Sequence, residues 1–213
     1  MKTLQRKYKK YLIFLFAVIV VAGVVYFAPD YLLYADVPQG SDAVMILDGS
    51  DYINRRKEAV FLVKNGYAKF IFTPGRTRFL TKTADGIYSY TGNDIDEINA
   101  ILEEIKAFRT DAPKKNQNIL EQTHTALIIA KQVMERVNIS SAIFVSNPYH
   151  MRRIKLIADN VFEDSVFKIY CVPSRYSKIS TLWLLHIKDI KWIISEYIKI
   201  AWFRVYTFLD LTG

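Results

Sequence analysis

An uncharged apolar run near the N-terminus is the longest hydrophobic segment of the chain. Residues 11–28, YLIFLFAVIVVAGVVYFA, contain no charged side chain. Eighteen residues of α-helix extend about 27 Å, which is close to the thickness of the hydrocarbon core of a bilayer. The pattern therefore predicts one transmembrane anchor over these residues.

Charged residues are distributed unequally on the two sides of this run. The cations before it, with no acid among them, are Lys2, Arg6, Lys7, Lys9 and Lys10. The acids that follow it before the next cation are Asp30, Asp36 and Asp42. Because positive residues stay in the cytoplasm, the bias predicts a cytoplasmic tail over residues 1–10 and a periplasmic or extracellular domain attached to the cell (inner) membrane. A cleaved signal peptide and a buried core helix are the alternatives, but the long run, the flanking charges and the poor cleavage site favour an uncleaved anchor.

Beyond a linker at residues 29–41, apolar runs alternate with helical periodicity. Residues 42–47 form a continuous apolar run typical of a strand buried on both faces, and residues 53–65 have apolar positions at helical spacing. The later predicted elements are a strand at 69–73, a long loop at 77–92, a helix at 94–108, a strand at 118–121, a helix at 123–137, a strand at 142–146, a helix at 149–161 and a strand at 167–172. This order predicts one α/β domain over residues 42–213, a three-layer sandwich with a mostly parallel sheet.

The C-terminal segment, residues 182–209, is long, aromatic and interrupted by charges. Its charged residues are Lys188, Asp189, Lys191, Glu196, Lys199 and Arg204, too many for a second membrane span. We expect a helix, broken or continuous, that covers the sheet. The alternative is that its large aromatic residues, Trp183, Trp192, Trp202 and Tyr206, lie in the lipid interface near the anchor.

Overall charge and cysteine content exclude some classes of function. The net charge of +8 falls to +3 without the five cations of the tail, because 24 of the 29 Lys and Arg then face 21 acids. This balance favours no nucleic-acid partner. Cys171 is the only cysteine, so the chain forms no internal disulfide, and its apolar predicted strand favours an inert core thiol.

Candidate chemistry lies where the predicted strands end, because doubly wound sheets bind ligands at the carboxyl ends of their strands. Asp48, Gly49 and Ser50 follow the first strand, where glycine allows close backbone approach and the next helix offers free N–H groups. Arg55 stands in the first turn of that helix, where a cation opposes the macrodipole unless an anion is near. Arg76 follows the second strand with a guanidinium suited to phosphate or carboxylate. A plain turn and solvated arginines are the alternatives.

The sharpest local signal follows the strand at 142–146. Its candidate residues are Ser146, Asn147, Tyr149, His150 and Arg153. The spacing places an imidazole at a helix start and an arginine one turn later on the same face. A helix N-terminus favours the neutral imidazole, which accepts or donates a proton, while Arg153 holds an anionic group. Chance occurrence of this short spacing is the alternative.

The segment EQTHT at residues 121–125 precedes another predicted helix. Thr125 is a candidate ligand contact, with helix capping as the alternative reading of this segment. The three histidines are scattered, and the sequence has no metal-binding spacing, no GxSxG elbow and no P-loop. The common hydrolase and kinase readings are therefore disfavoured, and the sequence names no cofactor.

Taken in chain order, these segments resemble the YdcF-like family, a bacterial family of domains of unknown function that includes SanA and ElyC. The likeness covers about residues 42–206. The family's spacing of Arg, Ala, Leu and Gly through the first helix is matched by Arg55, Ala59, Leu62 and Gly66. Its Val-Thr-Ser-x-Tyr-His-x-x-Arg segment resembles residues 145–153, which read VSNPYHMRR. The departures are Asp48 and Pro74 in place of glycine-type residues, His124 in place of asparagine, and Leu127 and Ile128 in place of a Glu-Asn pair.

The resemblance implies a Rossmann-like fold, tethered by one N-terminal helix and linked to the peptidoglycan or lipid-carrier pathway. The leading hypothesis is an envelope-biogenesis protein that binds an anionic, phosphate-bearing cell-wall precursor or lipid carrier at the strand ends. Its anion-binding residues would be Arg55, Arg76, His150 and Arg153. One alternative is an enzyme on such a substrate, with His150 as general acid or base and Asp48 as its partner. The others are a non-catalytic membrane scaffold acting through protein partners, and a domain that binds a nucleotide or S-adenosylmethionine.

Overall fold

The structure, a computed structural model, describes residues 2–49, 51–74, 78–82, 88–89, 122–178, 180 and 182–209. The helices are α1 (Lys2–Leu32), α2 (Tyr52–Lys64), α3 (Gln122–Arg136), α4 (Met151–Val161) and α5 (Ile187–Phe208). The strands are β1 (Ala43–Ile46), β2 (Phe70–Thr73), β3 (Arg78–Lys82), β4 (Tyr88–Ser89), β5 (Ser141–Ser146) and β6 (Lys168–Pro173). Short 3₁₀ turns at Pro148–His150 and Trp183–Leu185 precede α4 and α5. The helix predicted at 94–108 and the strand predicted at 118–121 lie outside the described residues.

The described strands form one sheet in the order β4-β3-β2-β1-β5-β6. The four strands β2, β1, β5 and β6 are parallel, and Ala43 of β1 aligns with Phe70 of β2 and Ala142 of β5. Parallel neighbours need crossover connections, which α2 supplies between β1 and β2 and α4 supplies between β5 and β6. The predicted α/β class with a mostly parallel sheet is confirmed.

An antiparallel hairpin at the sheet edge corrects the prediction of a long loop over residues 77–92. β3 pairs antiparallel with β2, and β4 pairs antiparallel with β3. The β3 sequence, RFLTK, has a cation at each end and lacks the apolar run of a strand buried on both faces. The loop interpretation was wrong for residues 78–82 and 88–89, because a strand near the edge of a sheet tolerates charges that a central strand does not.

Different helices cover the two faces of the sheet. All four residues of β1 are buried, and successive side chains point to opposite faces. Met45 packs in one cluster with Ala130 of α3 and Ile157 of α4. Val44 packs in another cluster with Leu62 of α2. Successive side chains of β1 therefore belong to two different hydrophobic clusters, one with α3 and α4 and the other with α2.

α1 continues through the whole predicted anchor. From Lys10 to Leu32 it has a mean hydropathy of 2.7 and none of its apolar window is buried, so its length and composition are sufficient to cross a membrane. The predicted linker at 29–41 begins inside this helix, where Leu32 is fully buried.

The segment after α1 lies along β6. Asp36 N donates to Cys171 O at 2.9 Å, and Asp36 Oδ2 accepts from Cys171 N at 2.8 Å. Burial raises the pKa of the Cys171 thiol, in agreement with the expected inert core thiol.

α5 contributes residues to the main hydrophobic cluster and also contacts α1. Phe203 and Tyr206 are buried in the same cluster as Met45 of β1. Tyr197 Oη donates to Ala28 O of α1 at 2.6 Å. The predicted helix is present, and its break falls at His186, between the 3₁₀ turn and α5.

Candidate functional site

A buried arginine closes the turn between β1 and α2. Only 1% of Arg55 is exposed, and its Nη1 donates to Leu47 O at 2.6 Å and Asp48 O at 2.7 Å. Gly49 lies against this guanidinium with φ +156°, and a Cβ at that position would come within 2.6 Å of Nη1. The sequence predicted that Gly49 allows a close approach to the backbone. The group that approaches this backbone in the structure is the Arg55 guanidinium.

Two donor atoms of Arg55 have no hydrogen-bond partner among the described residues. These are Nε and Nη2, both shielded from solvent. Burial lowers the pKa of Arg55 to about 10, while the charges of Asp51 and Asp48 oppose that change. The side chain is thus a cation at neutral pH. An unsatisfied buried donor costs about 1–3 kcal/mol, and more when it is charged, so this guanidinium is prepared for an acceptor.

A second cluster joins the end of β5 to α5. Arg153 is 2% exposed, and its Nε donates to Glu196 Oε2 at 2.7 Å while its Nη2 donates to Oε1 at 3.1 Å. Its Nη1 donates to Thr123 Oγ1 at 2.7 Å. His150 Nδ1 lies 2.9 Å from Glu196 Oε1 and 2.8 Å from Arg153 Nη2. The 3₁₀ turn after β5 and the helices α3, α4 and α5 therefore meet at one ion pair.

Glu196 is ionised in this cluster. Burial by itself raises the pKa of Glu196, but the hydrogen bond from His150, the charge that His150 carries at low pH, and the charge of Arg153 outweigh it and lower the pKa to about 2. A carboxylate here is an acceptor only, with each of its oxygens occupied by an arginine nitrogen. It holds Arg153 in a fixed orientation, because a bidentate pair restricts rotation of the guanidinium.

His150 is a neutral imidazole under ordinary conditions. Burial lowers its pKa, with the charges of Arg153 and Arg55 acting in the same direction, while Glu196 opposes the change. Nδ1 contacts both an acceptor and a donor, and its protonation decides which contact is a hydrogen bond. We assign the proton to Nδ1, because Arg153 already has carboxylate oxygens to which it donates. Nε2 then carries a lone pair, and a quarter of the His150 side chain is exposed.

Arg55 and the Glu196 cluster influence one another electrostatically. The charges of Arg153 and Glu196 both act on the pKa of Arg55, and the charge of Arg55 acts on that of His150. The structure thus places two of the residues proposed from the sequence, His150 and Arg153, against a carboxylate that the sequence had not assigned. Arg55 acts on this cluster through its charge.

Other predicted site residues have structural roles in the same region. Asn147 Oδ1 accepts from Tyr149 N at 3.1 Å, so this side chain caps the 3₁₀ turn. Ser146 O accepts from Ser174 N at 2.8 Å and continues the pairing of β5 with β6. Tyr149 packs against Trp183, and burial raises its pKa.

The remaining candidates lie after β1, in the first turn of α3 or beyond the described residues. Asp48 and Gly49 are exposed at the end of β1, and Thr125 is half-buried on α3. The sequence proposed Asp48 as the partner of His150, whereas the carboxylate beside Nδ1 belongs to Glu196. Ser50 and Arg76 lie outside the residues that the structure describes.

Asp51, an acid that connects several loops through hydrogen bonds, was also not assigned from the sequence. Asp51 Oδ1 accepts from Asn54 Nδ2 at 2.8 Å, and its Oδ2 accepts from Ser177 Oγ and, at 3.4 Å, from Asn147 Nδ2. Ser174 Oγ donates to Asn54 O at 2.8 Å. These contacts fix the loops after β1, β5 and β6 relative to one another.

Glu196 was the principal omission, and the sequence contained a signal for it. Ile193, Ile200 and Phe203 are buried on one face of α5, and Glu196 stands on that face between them. An acid within an apolar helical stripe is almost never fully buried unless it is paired. Its position therefore indicated a buried cation elsewhere in the fold, although it could not indicate which one.

Comparison with known proteins identifies no relative of the chain. No protein-family model, no curated protein and no solved structure matches it. Within the described ranges, no group of three or more His, Cys, Asp or Glu is placed to hold a metal ion. The interpretation of the site therefore depends on its own geometry.

Proposed function

We propose that this chain is a membrane-anchored protein of the cell envelope that binds an anionic, phosphate-bearing ligand. The domain would be a Rossmann-like three-layer sandwich of the YdcF-like family, and the ligand a cell-wall precursor or a lipid carrier. The observation that carries the proposal is Arg55, a buried cation at the end of β1 with two donor atoms unpaired in the described structure.

Phosphate chemistry fits this site because it matches the available donors. A guanidinium presents planar N–H pairs that suit two oxygens of one phosphate, and Nη1 of Arg55 is already fixed by two carbonyl groups. His150 would add a second positive group, because a phosphate near Nε2 favours the imidazolium and raises its pKa. Arg153 is neutralised by Glu196, so it orients His150 and leaves Arg55 as the principal anion ligand.

The N-terminal helix supports a location of this site in the envelope. The apolar helix α1 and the cations before it support a cytoplasmic N-terminus and an exported domain. Phosphate-bearing precursors and polyprenyl carriers are the anionic ligands that such a domain would meet at a membrane. The resemblance of the segments around Arg55 and His150 to the YdcF-like family points to the same ligand class.

The test is ligand-induced thermal stabilisation of the full chain in nanodiscs. The probes are inorganic phosphate, a polyprenyl phosphate, a peptidoglycan precursor, a nucleotide and S-adenosylmethionine. A ligand that binds only the native state raises Tm with its concentration. Arg55→Met should abolish the shift, whereas Arg56→Met, which removes the neighbouring exposed cation of α2, should retain it. Equal shifts in both variants would contradict the proposal, and a shift with nucleotide or S-adenosylmethionine alone would favour that alternative.

Acid–base catalysis on the same ligand is a second candidate, favoured by the contact of Glu196 with His150 Nδ1. A carboxylate on Nδ1 fixes the tautomer and leaves Nε2 to accept or donate a proton. In this reading Glu196 is the positioning residue and His150 the proton carrier. His150→Gln should then abolish turnover while the ligand still raises Tm. Binding without turnover in the unmodified chain would leave the protein a binding module, and no stabilisation by any probe would favour the scaffold alternative.

A further inference from the structure

α5 has an apolar face that the described part of the protein does not cover. Its residues recur at intervals of three, four and seven positions and are 45–88% exposed: Ile187, Ile194, Ile198, Trp202, Val205 and Phe208. Such spacing places all six on one side of a helix. We refer to them as the α5 apolar face. Soluble surfaces rarely expose a contiguous patch of this kind, so it marks a site of interaction.

The position of α5 beside α1 indicates what covers this face. Trp183 Nε1, just before α5, donates to Tyr26 O, and Tyr197 Oη donates to Ala28 O. Tyr26 and Ala28 belong to the last turns of the apolar segment of α1. The level at which α5 meets α1 is therefore the level at which the apolar segment ends.

The contacts with α1 are concentrated on a short stretch of that helix. Trp183 and Tyr197 are fourteen residues apart, whereas the α1 residues that accept their hydrogen bonds, Tyr26 and Ala28, are only two residues and about 3 Å apart along the helix axis. Helices that ran side by side would show equal advances. Where α1 crosses a bilayer, α5 therefore lies close to the plane of its surface.

The charges of α5 suit an anionic membrane surface. Lys188, Lys191 and Arg204 are exposed, and Lys199 is half-buried. Of the two acids in the helix, Glu196 is paired with Arg153 inside the fold. By helical spacing, Lys188 and Lys199 lie at one edge of the α5 apolar face, Arg204 lies at the other edge, and Lys191 lies within it. Large apolar residues bordered by cations are suited to the headgroup region.

We propose that the α5 apolar face is inserted in the outer interface of the bilayer that α1 spans, so that the domain is docked on an anionic lipid surface as well as anchored to it. This inference rests on the membrane anchor of the proposed function. It adds a second, peripheral attachment, made by a helix whose opposite side carries Glu196 of the candidate site.

The experiment uses the full chain reconstituted in vesicles of phosphatidylglycerol and phosphatidylethanolamine with brominated acyl chains, which quench tryptophan only at close range. Trp183, Trp192 and Trp202 are the three tryptophans of the protein. A Trp183→Phe/Trp192→Phe chain retains only Trp202, on the apolar face. The control also carries Trp202→Phe and Val166→Trp, which moves the single tryptophan to a 90% exposed position before β6.

Brominated lipid should quench the fluorescence of Trp202 at least about threefold more strongly than that of the tryptophan in the Val166→Trp control, as expected for an indole at the membrane interface. Ile198→Glu with Val205→Glu should remove that excess without lowering Tm in detergent, because both side chains are exposed. Equal quenching in the two single-tryptophan chains would overturn the docking, and so would a Trp202 shielded from aqueous acrylamide yet unquenched by brominated lipid. A chain that fails to float with the vesicles would instead refute the anchor itself.

Discussion

The ion pair between Arg153 and Glu196 provides the most direct test of the site geometry. Replacing Glu196 by glutamine leaves the shape of the side chain nearly unchanged but removes its charge. Arg153 would then be a buried cation, 2% exposed, without its counter-ion. Removing one partner of a buried pair typically costs about 3–5 kcal/mol, because the desolvated charge that remains is uncompensated.

An exposed ion pair provides a matched control, because it tests the loss of charge pairing without burial. Lys155 and Asp159 form an ion pair on α4, and 57% of the Asp159 side chain is exposed. Asp159→Asn should lower the free energy of unfolding by no more than about 1 kcal/mol, because solvent screens exposed pairs. For a chain of this size, the Glu196→Gln cost corresponds to a fall in Tm of about 6–20 °C, and the control to no more than about 4 °C.

The assay is thermal and urea unfolding of the full chain in detergent, followed by near-ultraviolet circular dichroism. A double variant, Arg153→Met with Glu196→Met, extends the test, because an apolar pair leaves no buried charge. We expect it to be more stable than Glu196→Gln, since replacing a whole buried pair is often neutral. If Glu196→Gln is no more destabilising than Asp159→Asn, the reasoning on this cluster is refuted.

Three further predictions follow from individual contacts. Because the pKa of Glu196 in the folded chain is about 2 and its ordinary value is 4.5, the stability that it supplies is complete above pH 4.5 and is lost as the pH falls towards 2; acid titration of unfolding should show a shallower slope there in Glu196→Gln. Gly49→Ala should lower stability by about 1–3 kcal/mol, because the new Cβ meets the Arg55 guanidinium at 2.6 Å; an unchanged urea midpoint would contradict the contact. Cys171 should resist maleimide labelling until the chain unfolds, because it is fully buried with a raised thiol pKa; rapid modification of the native protein would show that β6 is accessible.

The sequence allowed the central elements to be predicted because their patterns have local causes. The apolar run of β1 needs two covering layers, and the helical spacing of α2 and α4 follows from burying one side of a helix. The β3 hairpin was missed because its pattern reflects a position at the sheet edge, which only the fold defines. The elements predicted at 94–108 and 118–121 stay predictions.

The candidate site was predictable only in part, for a related reason. Arg55 and His150 follow strands directly, so their common location could be inferred from the rule that parallel strands end at one edge. Glu196 lies more than 40 residues after Arg153, and nothing local links the two. Asn147 caps the 3₁₀ turn and the ring of Tyr149 packs in the core, roles that the short motif by itself does not indicate. Ligand contacts of these two residues stay predictions.

The backbone pairing of Asp36 with Cys171 determines how the domain can move. Only three residues separate the end of α1 at Leu32 from Asp36, which is already fastened to β6. The connection between α1 and the sheet is therefore short and hydrogen-bonded. Where α1 spans a bilayer, as proposed, this connection would hold the domain at a nearly constant distance from the membrane surface. A ligand that diffuses laterally in the membrane would then meet the candidate site more often than a ligand dissolved in bulk solvent.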